Sequence, residues 1–173
     1  MHQADHARET ERIVACIAAD GTVKDLTAAG MRFGGADFSG RAFFGCNFRE
    51  AAFSRCVFSR AAMRMCAFDF AQFSDCVFEK ADLQFLSFAG ARFSGCRFVG
   101  SEVVHVNFLG AGLFRTVFDD SNLYNSRFIN ADMSDTTFFN CNVMRVNFTG
   151  SRRERSVFKS TNTADAIFEA EVP

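Results

Sequence analysis

The groups in this chain that could do chemistry are seven cysteines, three histidines and a spread of carboxylates and guanidinium groups. Six of the thiols, Cys46, Cys56, Cys66, Cys76, Cys96 and Cys141, are separated by multiples of five residues. A zinc site needs four converging ligands, usually from CxxC-like pairs or nearby histidines. Here Cys46 and Cys66, and Cys56, Cys76 and Cys96, stand in parallel columns twenty residues apart, where a free thiol acts as a small hydrophobe. His2 and His6 lie near the start, and His105 stands alone at an outward position. No nucleophile–base pair, paired carboxylates or phosphate-cradling loop is visible. The chain therefore reads as a non-enzyme with no metal, no cofactor and no small-molecule substrate.

Those positions belong to a repeat. Phenylalanine falls at every tenth residue, at Phe38, Phe48, Phe58, Phe68, Phe78, Phe88, Phe98, Phe108, Phe118, Phe128, Phe138, Phe148, Phe158 and Phe168. Halfway between stands a second apolar series, Phe33, Phe43, Phe53, Met63, Phe73, Leu83, Phe93, Val103, Leu113, Leu123, Met133 and Val143. The period is thus five. Two places before each large residue stands a small one, such as Ala36, Cys46, Ala51, Cys56 or Ala61, and the other three positions are mostly polar. Two buried positions in five fit neither a helix nor a sustained strand, so the chain must turn every five residues.

Segments such as Ala36-Asp37-Phe38, Ala81-Asp82-Leu83, Ser121-Asn122-Leu123 and Ala131-Asp132-Met133 carry an A(D/N)Lxx pattern. Over roughly residues 31 to 168 the sequence resembles the pentapeptide-repeat family. The resemblance implies an all-β solenoid, a right-handed quadrilateral parallel β-helix of about seven coils, with four pentapeptides to a coil. A twenty-residue coil has independent support. The residues just before the recurring Phe separate into Val57, Val77, Arg97, Val117, Thr137, Val157 and Asn47, Ala67, Ser87, Asn107, Arg127, Asn147 only at period twenty. Seven coils at about 4.8 Å predict a rod about 34 Å long.

The repeat occupies residues 23–170, followed by a tail over 171–173. Residues 1–22 carry a helical pattern, with Ile13, Val14, Cys16 and Ile17 near one face and Gly21 as the stop. One such helix is marginal alone, so it is expected to cap the first coil, with a membrane- or partner-binding helix as the rival. Residues 21–30 look ragged, an irregular first coil.

Composition fits one domain: 49% hydrophobic and 23% charged residues are an ordinary globular balance. A net charge of −1 announces neither a strongly basic nucleic-acid binder nor an acidic decoy. No apolar run reaches the length of a membrane span or signal-peptide core, and the free thiols point to a cytoplasmic protein.

The outward columns hold the functional candidates. Phe44, Met65, Phe85, Val104, His105, Tyr124 and Met144 make one face too apolar, a candidate interface. Val57, Val77 and Val117 form a second stripe. Arg55, Asp75, Arg115, Asp135 and Arg155 alternate in sign at spacing twenty, so Arg55–Asp75 and Arg115–Asp135–Arg155 are expected to pair and fix register. Cations gather at Arg32–Arg64 and Arg145–Lys159. Arg153 and Thr163 stand at inward positions, so either Arg153 swings to the open end or the last coil is distorted. That coil is a candidate homodimer surface, as is the apolar face.

The leading reading is a non-enzymatic scaffold binding a protein partner. The resemblance implies an alternative, a DNA mimic that binds DNA gyrase or another type II topoisomerase and protects it from quinolone-type poisons. A near-neutral charge and the absence of a projecting loop depart from that pattern.

Overall fold

A chain that buries two residues in five must bend at every fifth. The computed structural model, which describes residues 2–19 and 21–169, places the bend two residues after each large inward side chain. The backbone there is left-handed at every fifth position from Asp25 to Asp165. Nine of these corners are glycine and twenty are not. Most corners thus hold a side chain in a conformation that costs about 1–2 kcal/mol when the residue is not Gly, Asn or Asp.

Four straight sides close a coil, and about seven coils stack as a right-handed quadrilateral parallel β-helix. The first side carries β1 (Thr22–Lys24), β3 (Ala42–Phe44), β5 (Ala62–Arg64), β7 (Asp82–Gln84) and β9 (Glu102–Val104), paired in that order. The second side has single bridges such as Asn47 to Ala67 and Ala67 to Ser87. The third carries β2 (Arg32–Gly34), β4 (Ala52–Ser54), β6 (Gln72–Ser74), β8 (Arg92–Ser94) and β10 (Gly112–Phe114). The fourth is bridged from Asp37 onward and ends in β11 (Thr137–Phe139) and β12 (Val157–Lys159). Every pairing is parallel and shifted by twenty residues, as in Val23 opposite Phe43 and Phe138 opposite Phe158.

The core is columns of rings. On the fourth side Phe58, Phe78, Phe98 and Phe118 stack with centroids 4.7, 4.5 and 4.8 Å apart. Rings of adjacent sides meet edge to face, as Phe73 and Phe78 do at 65°. Both arrangements suit the aromatic quadrupole. The small inward position does more than leave room. Thiols and hydroxyls there donate to carbonyls one coil back: Cys56 Sγ to Phe33 O at 3.4 Å, Ser126 Oγ to Val103 O at 2.8 Å and Thr136 Oγ1 to Leu113 O at 2.7 Å.

Helix α1 (His2–Ala19) covers the first coil, burying Ile13 and Ile17, with Val14 packed beside them. Among the described residues no helix is long and apolar enough to cross a membrane. Residues 21–30 are more regular than their sequence suggests. β1 pairs with β3, Asp25 makes a standard corner, and Ala28 fills an inward position, 1% exposed. Alanine is too small to betray that position in the sequence. At the other end Arg153 swings to the open end: Nη1 donates to Phe168 O at 3.2 Å, Nη2 pairs with Glu169 at 2.7 Å, and the guanidinium lies 5.2 Å over the Phe168 ring. Thr163 is exposed.

Candidate interaction face

The first side and the corner that leaves it gather the sequence candidates. Met65, Phe85 and His105 occupy that corner on three successive coils, all left-handed. Phe44, Val104, Tyr124 and Met144 stand in the column just before it, which Arg64 and Gln84 interrupt. Met65 and Phe85 are 62% and 53% exposed, the values that make this a surface rather than a core. Phe85 stacks on His105 at 5.0 Å, and Tyr124 meets His105 edge-on at 5.9 Å. Asn125 Nδ2 lies 2.8 Å from His105 Nδ1, Arg145 Nη1 donates to the Tyr124 hydroxyl at 3.4 Å, and Arg145 Nε lies 3.8 Å from Asp165. Beside this network, Asn142 donates to Asn122 Oδ1 at 3.0 Å, and Asn122 to Glu102 at 2.7 Å. The lower part of the face is thus ordered by polar contacts. Its upper part, around Phe44 and Met65, lacks such polar contacts among the described residues, and Phe85 is held only by the His105 ring.

Sequence reading missed Phe70 and Leu109, 64% and 40% exposed on the second side. Phe70 holds a left-handed corner, and its ring lies where a Cβ on Gly90 would sit, 2.6 Å away. The available signal was a large apolar residue in a position that otherwise favours glycine. The Val57, Val77 and Val117 stripe is half-buried and broken by Arg97, which pairs with Glu79 at 3.0 Å.

The charge ladder forms one rung. Arg155 grips Asp135 through Nε and Nη2 at 2.6 and 2.8 Å, and the guanidinium holds that carboxyl below its ordinary value. Among the described residues Arg55 and Asp75 form no ion pair, nor do Arg115 and Asp135; Arg115 lies 4.7 Å over the Phe114 ring instead. The reason is directional. Several short or flexible corner side chains lean toward the following coil: Asp25 over Gly45, Asp75 over Gly95 and Lys80 over Gly100. Asp75 therefore points away from Arg55, while Asp135 points at Arg155. Other cross-coil pairs, Arg49–Asp69 at 2.9 Å and Arg64–Asp82, were not foreseen.

The buried thiols make a wall, not a site. Among the described residues no group of His, Cys, Asp and Glu is arranged to hold a metal. Cys141 Sγ donates to Phe118 O at 3.0 Å, and burial pushes its thiol up to about 12.

The family model for pentapeptide repeats matches eight copies over residues 28–60, 42–79, 71–110 and 111–150, well over half of the chain. The chain belongs to the pentapeptide-repeat family. A search of curated proteins returns no match. Among solved structures, this pentapeptide-repeat protein is similar to two trypsin-treated variants of QnrB1, a plasmid-mediated fluoroquinolone resistance protein. One is 21% identical with a TM-score of 0.74, over 86% of this chain and 77% of that one. The other is 20% identical with a TM-score of 0.63, over 87% and 86%. At such identity the likeness establishes the shared fold.

Proposed function

We propose that this pentapeptide-repeat protein is a non-enzymatic scaffold that binds a protein partner through the first side and its exit corner. The observation that supports this is the set of large apolar side chains, Met65 and Phe85 foremost, held exposed at strained corners. Strain in the backbone persists where the surroundings impose it and clusters at functional sites. The unit so proposed is one continuous repeat body over about residues 23–170 behind a capping helix. The test is a photo-cross-linking residue at Phe85, with a control at Val157 on the fourth side. A defined adduct from Phe85 alone supports the reading; equal or no adducts at both refute it. If the partner is a second copy, Phe85→Ser with Tyr124→Ser abolishes self-association without unfolding the rod. The half-buried Phe158 and Phe168 at the open end offer the other route to a dimer. Six buried free thiols are consistent with a cytoplasmic setting.

A second reading is a DNA mimic that binds gyrase or a related type II topoisomerase and protects it from quinolones. The unbroken rod favours it, as does likeness in fold to a fluoroquinolone resistance protein. A net charge of −1 gives it little of the acidity of DNA. A supercoiling assay with DNA gyrase, with and without a quinolone, decides: inhibition or rescue at modest excess favours the mimic, and no effect at large excess removes it.

A further inference from the structure

The corners are not filled at random. Gly30, Gly35 and Gly40 leave three successive corners open, whereas Gly45, Gly90, Gly95 and Gly100 lie beneath Asp25, Phe70, Asp75 and Lys80 of the preceding coil. Between Gly45 and Gly90 every corner carries a side chain. At the corner entering the first side these are Arg60 and Lys80, and at the corner leaving it Met65 and Phe85. All four hold φ between +54° and +58°, where glycine would be unstrained. The upper first side is therefore a raised panel with a cationic edge and an apolar edge.

Its floor is hollow. Ala42 and Ala62 put methyl groups where later coils carry Asp82 and Glu102, opening a shallow cavity of about 280 Å³ bounded by Thr22, Lys24, Phe44 and Arg64. The nearby acidic groups are largely occupied. Asp82 is gripped by Arg64 and accepts from Gln84 at 2.9 Å, Glu79 is held by Arg97, and Glu102 accepts from Asn122. Asp25 leans over Gly45 at the top of the apolar edge. Lys24, Arg60 and Lys80 are exposed, and among the described residues they form no ion pair.

We infer that this panel docks an acidic amphipathic helix of a partner protein, laid along the rod with carboxylates toward Arg60 and Lys80 and its apolar stripe toward Phe44, Met65 and Phe85. The inference rests on the scaffold reading and names its partner class. The spacings agree: coils recur at about 4.8 Å and helical turns at about 5.4 Å, so groups on successive coils meet successive turns. A basic helix would face the unpaired cations, and a purely apolar one would leave them desolvated, which is costly.

The probe is a fluorescein-labelled helical peptide of about 18 residues, with Glu along one side and Leu along the other, and its counterpart with Lys for Glu. Anisotropy titration of the full chain should show the Glu peptide binding at least about tenfold more tightly, a difference that shrinks as salt is raised. Arg60→Gly with Lys80→Gly relieves the corner strain and keeps the fold, yet should abolish the preference; Arg60→Glu with Lys80→Glu should reverse it. Equal affinity for the two peptides, or no response to either double variant, overturns the inference. A partner cross-linked at Phe85 whose binding ignores both double variants overturns it too, while leaving the scaffold reading standing.

Discussion

Phe98→Ala tests whether stacking holds the rod. The ring has no exposed surface and lies between Phe78 at 4.5 Å and Phe118 at 4.8 Å, with Phe93 edge-on at 5.7 Å. Truncating a buried Phe costs about 3–5 kcal/mol, and each aromatic pair adds about 0.5–1.5 kcal/mol beyond burial, which places this site near 5 kcal/mol. Phe168 keeps one stacked neighbour, Phe148 at 5.0 Å, and is only half-buried, so Phe168→Ala should cost about 1–2 kcal/mol. The middle substitution should also weaken coupling between the halves, because each coil is stabilised only by its neighbours. Urea unfolding followed by circular dichroism and by fluorescence of Tyr124, the sole tyrosine, reads both effects. Expected are a lower midpoint for both variants and a shallower transition for Phe98→Ala alone. Equal losses for the two, with unchanged slopes, would refute nearest-neighbour stacking as the source of stability.

Corner strain is separable from contact: Gly110→Ala, with open space and φ +63°, should cost about 1 kcal/mol. Gly90→Ala, which meets the Phe70 ring, should cost about 0.5–1 kcal/mol more, an excess that vanishes in a Phe70→Ala background. Asp135 is held below its ordinary carboxyl value in the fold, so its contribution is present above about pH 4 and is lost as pH falls through the depressed value. The stability gap between the protein and Asp135→Asn should accordingly close as pH drops below about 4, and a gap that widens there would contradict the Arg155 pairing. Of the seven cysteines only Cys16 is exposed, so Ellman's reagent at about pH 8 should titrate one thiol quickly and the other six only in denaturant.

The inward code was legible because it is written in volume. Phe at one place and Ala, Cys or Ser two before it repeat until a register can be counted, and the twenty-residue coil follows from columns that separate only at that period. Ala28 escaped because its identity says nothing of its place until α1 is seen above it. Arg153 posed a choice between two outcomes that only the open end could decide. The outward code was legible by column but not by direction. Arg55, Asp75, Arg115 and Asp135 share one outward column, yet alternation of sign alone forecast rungs that do not form, because Asp75 leans over Gly95, away from Arg55, and Arg115 lies over the Phe114 ring. Side-chain direction then matters as much as charge: Asp135 meets Arg155 and Arg145 reaches Asp165, whereas Asp75 is turned away from Arg55.

That tilt also explains how a fold so repetitive distinguishes one part of its surface from another. Inward positions are constrained by stacking and hydrogen bonding to carbonyls one coil back, so they carry almost no individuality. Corners are constrained only by strain, which any side chain tolerates at about 1–2 kcal/mol. A corner glycine makes room for the residue above it, as Gly90 does for Phe70, or leaves a smooth rim, as Gly30, Gly35 and Gly40 do. A corner side chain that neither pairs with another coil nor is glycine, Asn or Asp spends stability on something outside the rod. Arg60, Met65 and Lys80 meet that description on adjoining corners of one side, Phe85 beside them stacks only on His105, and Ala42 and Ala62 hollow the upper part of that side. The rod's recognition surface should be sought where such corners adjoin a hollowed side, as they do on the panel around Arg60, Met65, Lys80 and Phe85.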